Sequence, residues 1–467
     1  MSYSSSSKSA PHVALLPGSG MGHLTPFLRL ATSLAALDAQ VTIITTHPTV
    51  SDAESQALSC LFSTFPLISE RQLHLLPLDN PSAAKLEDLF YLKFEAIRRS
   101  SHHLSPLLSS ISPPLSALIT DMSLASTVIP ITKAHGLPNY ILFTPSAKML
   151  TLFASFHKIV GSQSMGDDAK NVFNIPGLQP IPRSWVPPPL LLNANNLLKT
   201  LITENGKSLI QSDGILINTF ESFEQESLAA LNDGSIVNRL PLVIAVGPLV
   251  PNDFQSGNSL AWLNRQPSGS VVYVSFGSRT AMSRGQIREL GEGLVKSGCR
   301  FVWVVKDKKV DREDEAQLNE VVGHELMEKA KENGLVVKNW VRQEDILGHA
   351  AVGGFFSHCG WNSVIEAAWH GVPMLAWPQH GDQKMNASVV ESTGLGMWLK
   401  SWDWGGGLGV VQGEEIGEAV REMMGNKLLR EQALQIREKA RTAVGANGSS
   451  KKALAQLIEK WKKKHTV

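Results

Sequence analysis

Short runs rich in β-branched residues alternate with helix-length amphipathic stretches along almost the whole chain, and this alternation is the strongest constraint on its fold. Parallel strands need long crossovers, and the stretches between the runs are long enough to supply them as helices. In the first half the runs fall at 12–16, 41–46, 73–78, 117–120, 140–143, 215–218 and 243–246. A second set follows at 271–276, 301–305, 336–339, 354–357 and 374–377. Between the sets lies 248–270, rich in Pro, Gly, Asn and Ser. The expectation is an α/β protein with two doubly wound parallel-sheet domains facing a central cleft. Its first domain would be 1–247, its linker 248–270 and its second domain 271–440, with a helical segment at 441–467 packing back on the first. The stretch 171–189, with its Pro187-Pro188-Pro189 run, reads as a long irregular loop.

Composition narrows the possible partners. Of 467 residues 43% are hydrophobic and 18% charged, enough apolar surface for sizeable cores. Forty-three basic residues against 42 acidic ones leave no field to hold a nucleic-acid backbone or an anionic bilayer. No apolar run approaches the length that spans a membrane. Three widely spaced cysteines, Cys60, Cys299 and Cys359, fit neither a disulfide framework nor a zinc site. A soluble, cytoplasmic protein without a metal is expected.

Open α/β sheets bind ligands beyond the carboxyl ends of their strands. Two polar residues stand there in the first half. The turn Pro17-Gly-Ser-Gly-Met-Gly-His23 follows the first strand, with Thr25 a candidate N-cap and Pro26 at the first helical position, so His23 is expected in the loop. Asp121 follows the strand at 117–120. A carboxylate beside an imidazole fixes its tautomer and stabilises its protonated form, which makes a general base with an orienter. The alternatives are that each residue only caps the helix that follows. The glycines at 18, 20 and 22 do not match a dinucleotide fingerprint, and the second strand ends without an acid, which counts against a nicotinamide-dependent oxidoreductase.

In the second half, Gly277-Ser278 opens a loop before Ser283-Arg-Gly-Gln286, a capping-box pattern whose helix should end at Gly298. The strand at 354–357 leads into His358-Cys-Gly-Trp-Asn-Ser363 and a helix stopped by Gly371. Both turns offer backbone N–H groups to a phosphate.

From Trp340 to Gln383 the chain reads Trp-Val-Arg-Gln-Glu-Asp-Ile-Leu, then His-Cys-Gly-Trp-Asn-Ser, Glu366, His-Gly-Val-Pro and Gly-Asp-Gln. This stretch resembles the signature box of plant family 1 UDP-dependent glycosyltransferases, and the likeness extends from the Gly22-His23 turn to the C-terminal helix. It implies a GT-B fold of two Rossmann-like domains, with a small phenolic acceptor bound mainly by the first half and a UDP-sugar by the second. It implies that Trp340 stacks on uracil, with the backbone at Val341 and the side chain of Gln343 nearby, and that Glu366 accepts from the ribose hydroxyls. By the same likeness His358, Asn362, Ser363 and Ser278 would hold the diphosphate, and Trp361, Asp382 and Gln383 the sugar. His23 would be the general base and Asp121 its support, acting with inversion. No cofactor or metal is implied beyond the co-substrate UDP-glucose, and a monomer is expected.

Trp377-Pro-Gln-His-Gly-Asp-Gln383 with Lys384, and Ser401-Trp-Asp-Trp-Gly-Gly, are similar to the flavonoid C-glycosyltransferase subgroup. The resemblance therefore implies C-glucosylation of a 2-hydroxyflavanone or a dihydrochalcone such as phloretin. An O-glucosyltransferase of small phenols is the alternative within the class, and a non-catalytic UDP-sugar binding module the alternative outside it.

Overall fold

The computed structural model describes residues 10–48, 51–77, 89–161, 166–167, 171–192, 196–249, 261–306, 317–338, 341–404 and 409–463. These residues fall into two compact units. One lies within Met1–Arg183, Pro188–Asn252 and Ala443–Val467, the other within Ser184–Pro187 and Asp253–Thr442.

The first unit is built on strands β1 (His12–Leu16), β2 (Gln40–His47), β3 (Ile68–His74), β4 (Ala117–Asp121) and β5 (Asn139–Phe143). After a small sheet of β6 (Gly166–Asp167), β7 (Val172–Phe173) and β8 (Ile181–Pro182) come β9 (Gly214–Ile217) and β10 (Val243–Ala245). The main sheet runs β10-β9-β5-β4-β1-β2-β3, parallel throughout. Its central strands β1, β4 and β5 are buried along their whole length, as continuous apolar runs in a two-sided parallel sheet must be.

The second unit carries β11 (Val271–Ser275), β12 (Arg300–Val304), β13 (Gly334–Val337), β14 (Val352–Ser357), β15 (Met374–Ala376) and β16 (Gly396–Trp398), in the order β13-β12-β11-β14-β15-β16. These pairs too are parallel. Its core gathers Trp303, Trp377 and Trp402 with Phe276, Phe301 and Phe356.

In each sheet the order reverses at one place, between β1 and β4 in the first unit and between β11 and β14 in the second. At such a switch point the crossover helices leave in opposite directions and open a crevice at the carboxyl ends. His23 and Asp121 follow one reversal; Ser278 and His358 follow the other.

Several expectations shift. The strand placed at 73–78 is β3, Ile68–His74, because an edge strand with one wet face reads Ser-Glu-Arg-Gln between its buried Ile68 and Leu73. The strand placed at 336–339 ends at Val337, also on an edge. The irregular loop expected at 171–189 contains β7 and β8, which pair antiparallel about a turn at Gly177, φ 79°, and bury Phe173 and Ile181. Within it, Ser184–Pro187 belongs to the second unit, where Trp185 packs against Trp398 with ring centres 5.2 Å apart. Strand β16 was not expected. Ala443–Val467 is grouped with the first unit: Trp461 meets Tyr140 edge-on at 5.4 Å, and the Ser450 hydroxyl donates to the Gly247 carbonyl.

Candidate active site

The helix after β1 starts earlier than its Thr25-Pro26 signal suggests. It spans Met21–Ala35, so His23 sits in its first turn rather than in the loop, and Pro26 is accommodated inside it. The cause lies in the turn before it. Gly20 adopts φ 87°, open to glycine, and its carbonyl accepts the N–H groups of His23 at 3.0 Å and Leu24 at 2.9 Å. The buried carboxylate of Glu54, on the helix Asp52–Thr64, accepts the Gly20 N–H and so places an acid at the new helix start.

His23 meets the carboxylate predicted to serve it. Its Nδ1 lies 2.8 Å from Asp121 Oδ2 and 3.4 Å from the Thr144 hydroxyl, and its ring stands edge-on to Phe94 at 5.6 Å. A carboxylate only accepts, so Nδ1 carries the hydrogen and the lone pair is on Nε2, the nitrogen that can take a proton. Asp121 is fully buried, and its other oxygen accepts the backbone N–H and hydroxyl of Ser123. Burial pushes this carboxyl upward, but the His23 charge and the bonds from His23 and Ser123 outweigh it and hold it below the ordinary aspartate value. The side chain both orients the imidazole and caps the turn that follows β4; the two readings left open by the sequence coexist.

In the second unit Gln343, His358, Ser363 and Glu366 gather around the helix Trp361–His370, which has Gly360 at its N-cap position and is stopped by Gly371 at φ 70°. Gln343 Nε2 donates to Ser363 Oγ at 2.9 Å and to Glu366 Oε2 at 2.7 Å. Ser363 and Glu366 are three residues apart on one helical face, which lets a single amide reach both. His358 is wedged between two glycines: a Cβ on Gly277 or on Gly360 would stand 2.6 Å from its Nε2. Burial, then the nearby His380, pushes its pKa down to about 3, against a bond with the Ser275 backbone. It is therefore a neutral donor or acceptor at working pH. Ser278 and Asn362 are half-buried nearby in chain order, Trp361 is buried and Val341 half-buried; Trp340 lies outside the described residues.

Asp382 stands at the N-cap position of the helix Gln383–Thr393 without a side-chain capping bond, and its Oδ2 accepts Asn386 Nδ2 at 2.8 Å. Gln383 is less available than the sequence suggests. Its Oε1 accepts the N–H groups of Gln379 at 2.8 Å and His380 at 2.9 Å, and its Nε2 lies 3.4 Å from His380 Nδ1, which leaves one amide hydrogen uncommitted to these partners. Ser283 caps the helix Arg284–Ser297 as expected, but Gln286 does not close the box: its amide exchanges two bonds with the Val411 backbone. Among the described residues no group of three or more His, Cys, Asp or Glu side chains could hold a metal ion, and no helix is long and apolar enough to cross a membrane. Sequence reasoning missed Glu54, Thr144 and Asn386, whose partners are set by the fold rather than by local spacing.

Residues 239–438 match the model of the UDP-glucoronosyl and UDP-glucosyl transferase family. UDP-glycosyltransferase 708G2 of Citrus unshiu is 54% identical over 99% of this chain and 99% of its own. The chain belongs to the plant family 1 UDP-glycosyltransferases. UDP-glycosyltransferase CGT of Oryza sativa subsp. indica is 46% identical, over 96% of this chain and 95% of its own. A crystal structure of LpCGTa in complex with UDP superposes with a TM-score of 0.86 at 45% identity, covering 97% of this chain and 99% of that one. The transferase is thus related to C-glycosyltransferases, and its two parallel-sheet units are those of the GT-B fold.

Proposed function

We propose that this transferase moves glucose from UDP-glucose to a ring carbon of a polyhydroxylated phenol, a 2-hydroxyflavanone or a dihydrochalcone of the phloretin type. The observation that carries the reading is the 2.8 Å bond from His23 Nδ1 to the buried Asp121 carboxylate, which leaves Nε2 as the basic atom. The carbon preference is supported by the rice relative named CGT and by the likeness to LpCGTa.

In this scheme His23 Nε2 takes the phenolic proton, and Asp121 stabilises the imidazolium that results. The phenolate charge spreads onto the ortho carbon. That carbon attacks the anomeric carbon from the face opposite UDP, the bond from sugar to diphosphate breaks, and UDP leaves with the electron pair. The proton on the attacked carbon passes to water, which restores the aromatic phenolate; His23 returns its proton to the phenolate oxygen, and the sugar is β-linked. Gln343 and Glu366 hold the nucleoside, His358 with Ser363 and the helix start holds the diphosphate, and Asp382 with the amide nitrogen of Gln383 holds the hexose. Neither a metal nor a further cofactor enters this scheme.

The test is incubation with UDP-glucose and phloretin, followed by hot acid. A carbon–carbon link survives and fragments across the sugar ring in a mass spectrometer; release of intact hexose would show O-transfer and overturn the carbon assignment. His23→Ala should lower the rate about 10²- to 10⁴-fold while UDP still binds. Wild-type activity in that variant would remove the base.

A further inference from the structure

Asn386 stands one helical turn beyond Asp382, with its side chain fully buried, and no feature of the sequence pointed to it. Its Nδ2 donates to Asp382 Oδ2 at 2.8 Å and to the Cys359 carbonyl at 3.0 Å. Both neighbours are acceptors, so only the NH₂ end of the amide can face them.

The two ends of this bridge are unlike. Cys359 is a non-glycine residue at φ 62°, in the left-handed region that costs a side chain strain. It occupies the turn between β14 and the helix Trp361–His370, where its N–H is held by Ser357 Oγ at 3.3 Å. The bond from Asn386 ties the carbonyl of the same turn to the helix Gln383–Thr393, so the turn serves as a fixed anchor for the Asn386 side chain. At the other end, the bond holds one Asp382 oxygen, Oδ2, and so restricts rotation of the carboxylate.

We propose that Asn386 is a positioning residue that locks the Asp382 carboxylate in register with the diphosphate turn, and that this register, rather than affinity for the nucleotide, is what the enzyme uses to hold the hexose of its donor. The inference rests on the reading of Asp382 as a hexose contact. Asn386 touches no reacting atom; it acts through Asp382, with the Cys359 carbonyl as its anchor.

The experiment is a double-mutant cycle on the full chain with Asn386→Asp, Asp382→Ala and both together, reading UDP Kd by calorimetry and kcat/KM for UDP-glucose. Asn386→Asp keeps the size of the side chain but turns a donor into an acceptor opposite two acceptors. Loss of a residue that orients a ligating group costs about 10- to 100-fold at metal sites, and the same range is expected here in kcat/KM. UDP Kd should stay within about threefold, and the second substitution should add little in the Asp382→Ala background. Equal losses in UDP affinity and kcat/KM, or full additivity in the cycle, would overturn the proposal by making Asn386 a purely structural group. If Asp382→Ala alone leaves kcat/KM unchanged, it is the hexose reading of Asp382 that fails. Should Asn386→Asp lose UDP binding altogether, the same cycle with Asn386→Ala, which adds no charge, decides between these outcomes.

Discussion

A Cβ placed on Gly18 would stand 2.7 Å from Asp121 Cγ and 2.8 Å from its Oδ1. Asp121 cannot yield, because His23 holds one of its oxygens and Ser123 the other. Gly18→Ala should therefore push the carboxylate off the imidazole, lowering transfer at least about tenfold and stability by about 1–3 kcal/mol, with UDP Kd unchanged. Steady-state kinetics and calorimetry check this, and a variant with full kcat would show that the dyad tolerates the displacement. Asp121→Asn removes the charge without the crowding and should cost about 100-fold or more in kcat, since the imidazolium then forms without its counter-charge. Both members of this pair were legible, because a polar residue at or beyond the carboxyl end of a buried strand has few roles. That they touch was not legible, since they are 98 positions apart. Glu54 was hidden for the same reason: its capping-box role on its own helix is local and readable, whereas its bond to Gly20 is made by the fold. Gln383 shows the opposite failure, for a motif position gives no sign that a neighbouring turn already uses its oxygen.

At the scale of elements, buried central strands declared themselves as apolar runs, and so did the edge strand β10, whereas β3 was misplaced because the polar residues of its wet face interrupt the pattern. Helix ends were readable where glycine stops them, at Gly298 and Gly371, and misread where tertiary contact moves the start, at Gly20. The helix Ala147–Gly161, which follows β5 and the Thr144 that touches His23, has such a start. Its first N–H groups, from Ala147 and Lys148, are both accepted at 3.0 Å by the buried Glu224. Burial pushes this carboxyl up to about 7, against the bonds from Ala147, Lys148 and Thr219 and the Lys148 charge. Between the ordinary value of 4.5 and about 7 the folded unit thus holds a proton that the unfolded chain has released. The stability of the first unit should fall as pH rises through that window, by roughly 1.4 kcal/mol for each pH unit crossed. Glu224→Gln should flatten the dependence. His358, pushed down to about 3, has the reverse sign: the second unit should gain stability as pH rises from about 3 to 6.5. Denaturant midpoints across this range, with and without UDP, separate the two trends; a first-unit midpoint indifferent to pH would show that Glu224 ionises freely.

At the scale of the whole molecule, the alternation of runs announced two parallel sheets, but the route of the chain between them was beyond it. Ser184–Pro187 joins the second unit in the middle of first-unit sequence, and nothing local marks Trp185 as the partner of Trp398. The return of the C-terminal helix Ser449–Lys463 was easier to foresee, because an amphipathic helix must bury its apolar face somewhere. Leu454, Leu457, Ile458 and Trp461 are all buried, the last at 1% exposure against Tyr140 of β5. That helix is part of the buried interior of the first unit, so removing it should unfold the first unit and spare the second. Trp461→Ala is the minimal test. A buried Trp truncated to Ala costs about 3–5 kcal/mol, from lost burial and the cavity left behind. Two units with separate cores need not unfold in one step, and a ligand raises only the transition of the unit that binds it, by about 2.7 kcal/mol at 100 times Kd. On the proposed assignment UDP marks the second unit. Trp461→Ala should then lower the UDP-insensitive transition and leave the UDP-sensitive one in place, read by calorimetry at matched UDP concentration. An equal shift in both would mean that the tail stabilises the molecule through its second unit, and the core around Tyr140 would have to be assigned a smaller share of the first unit's stability.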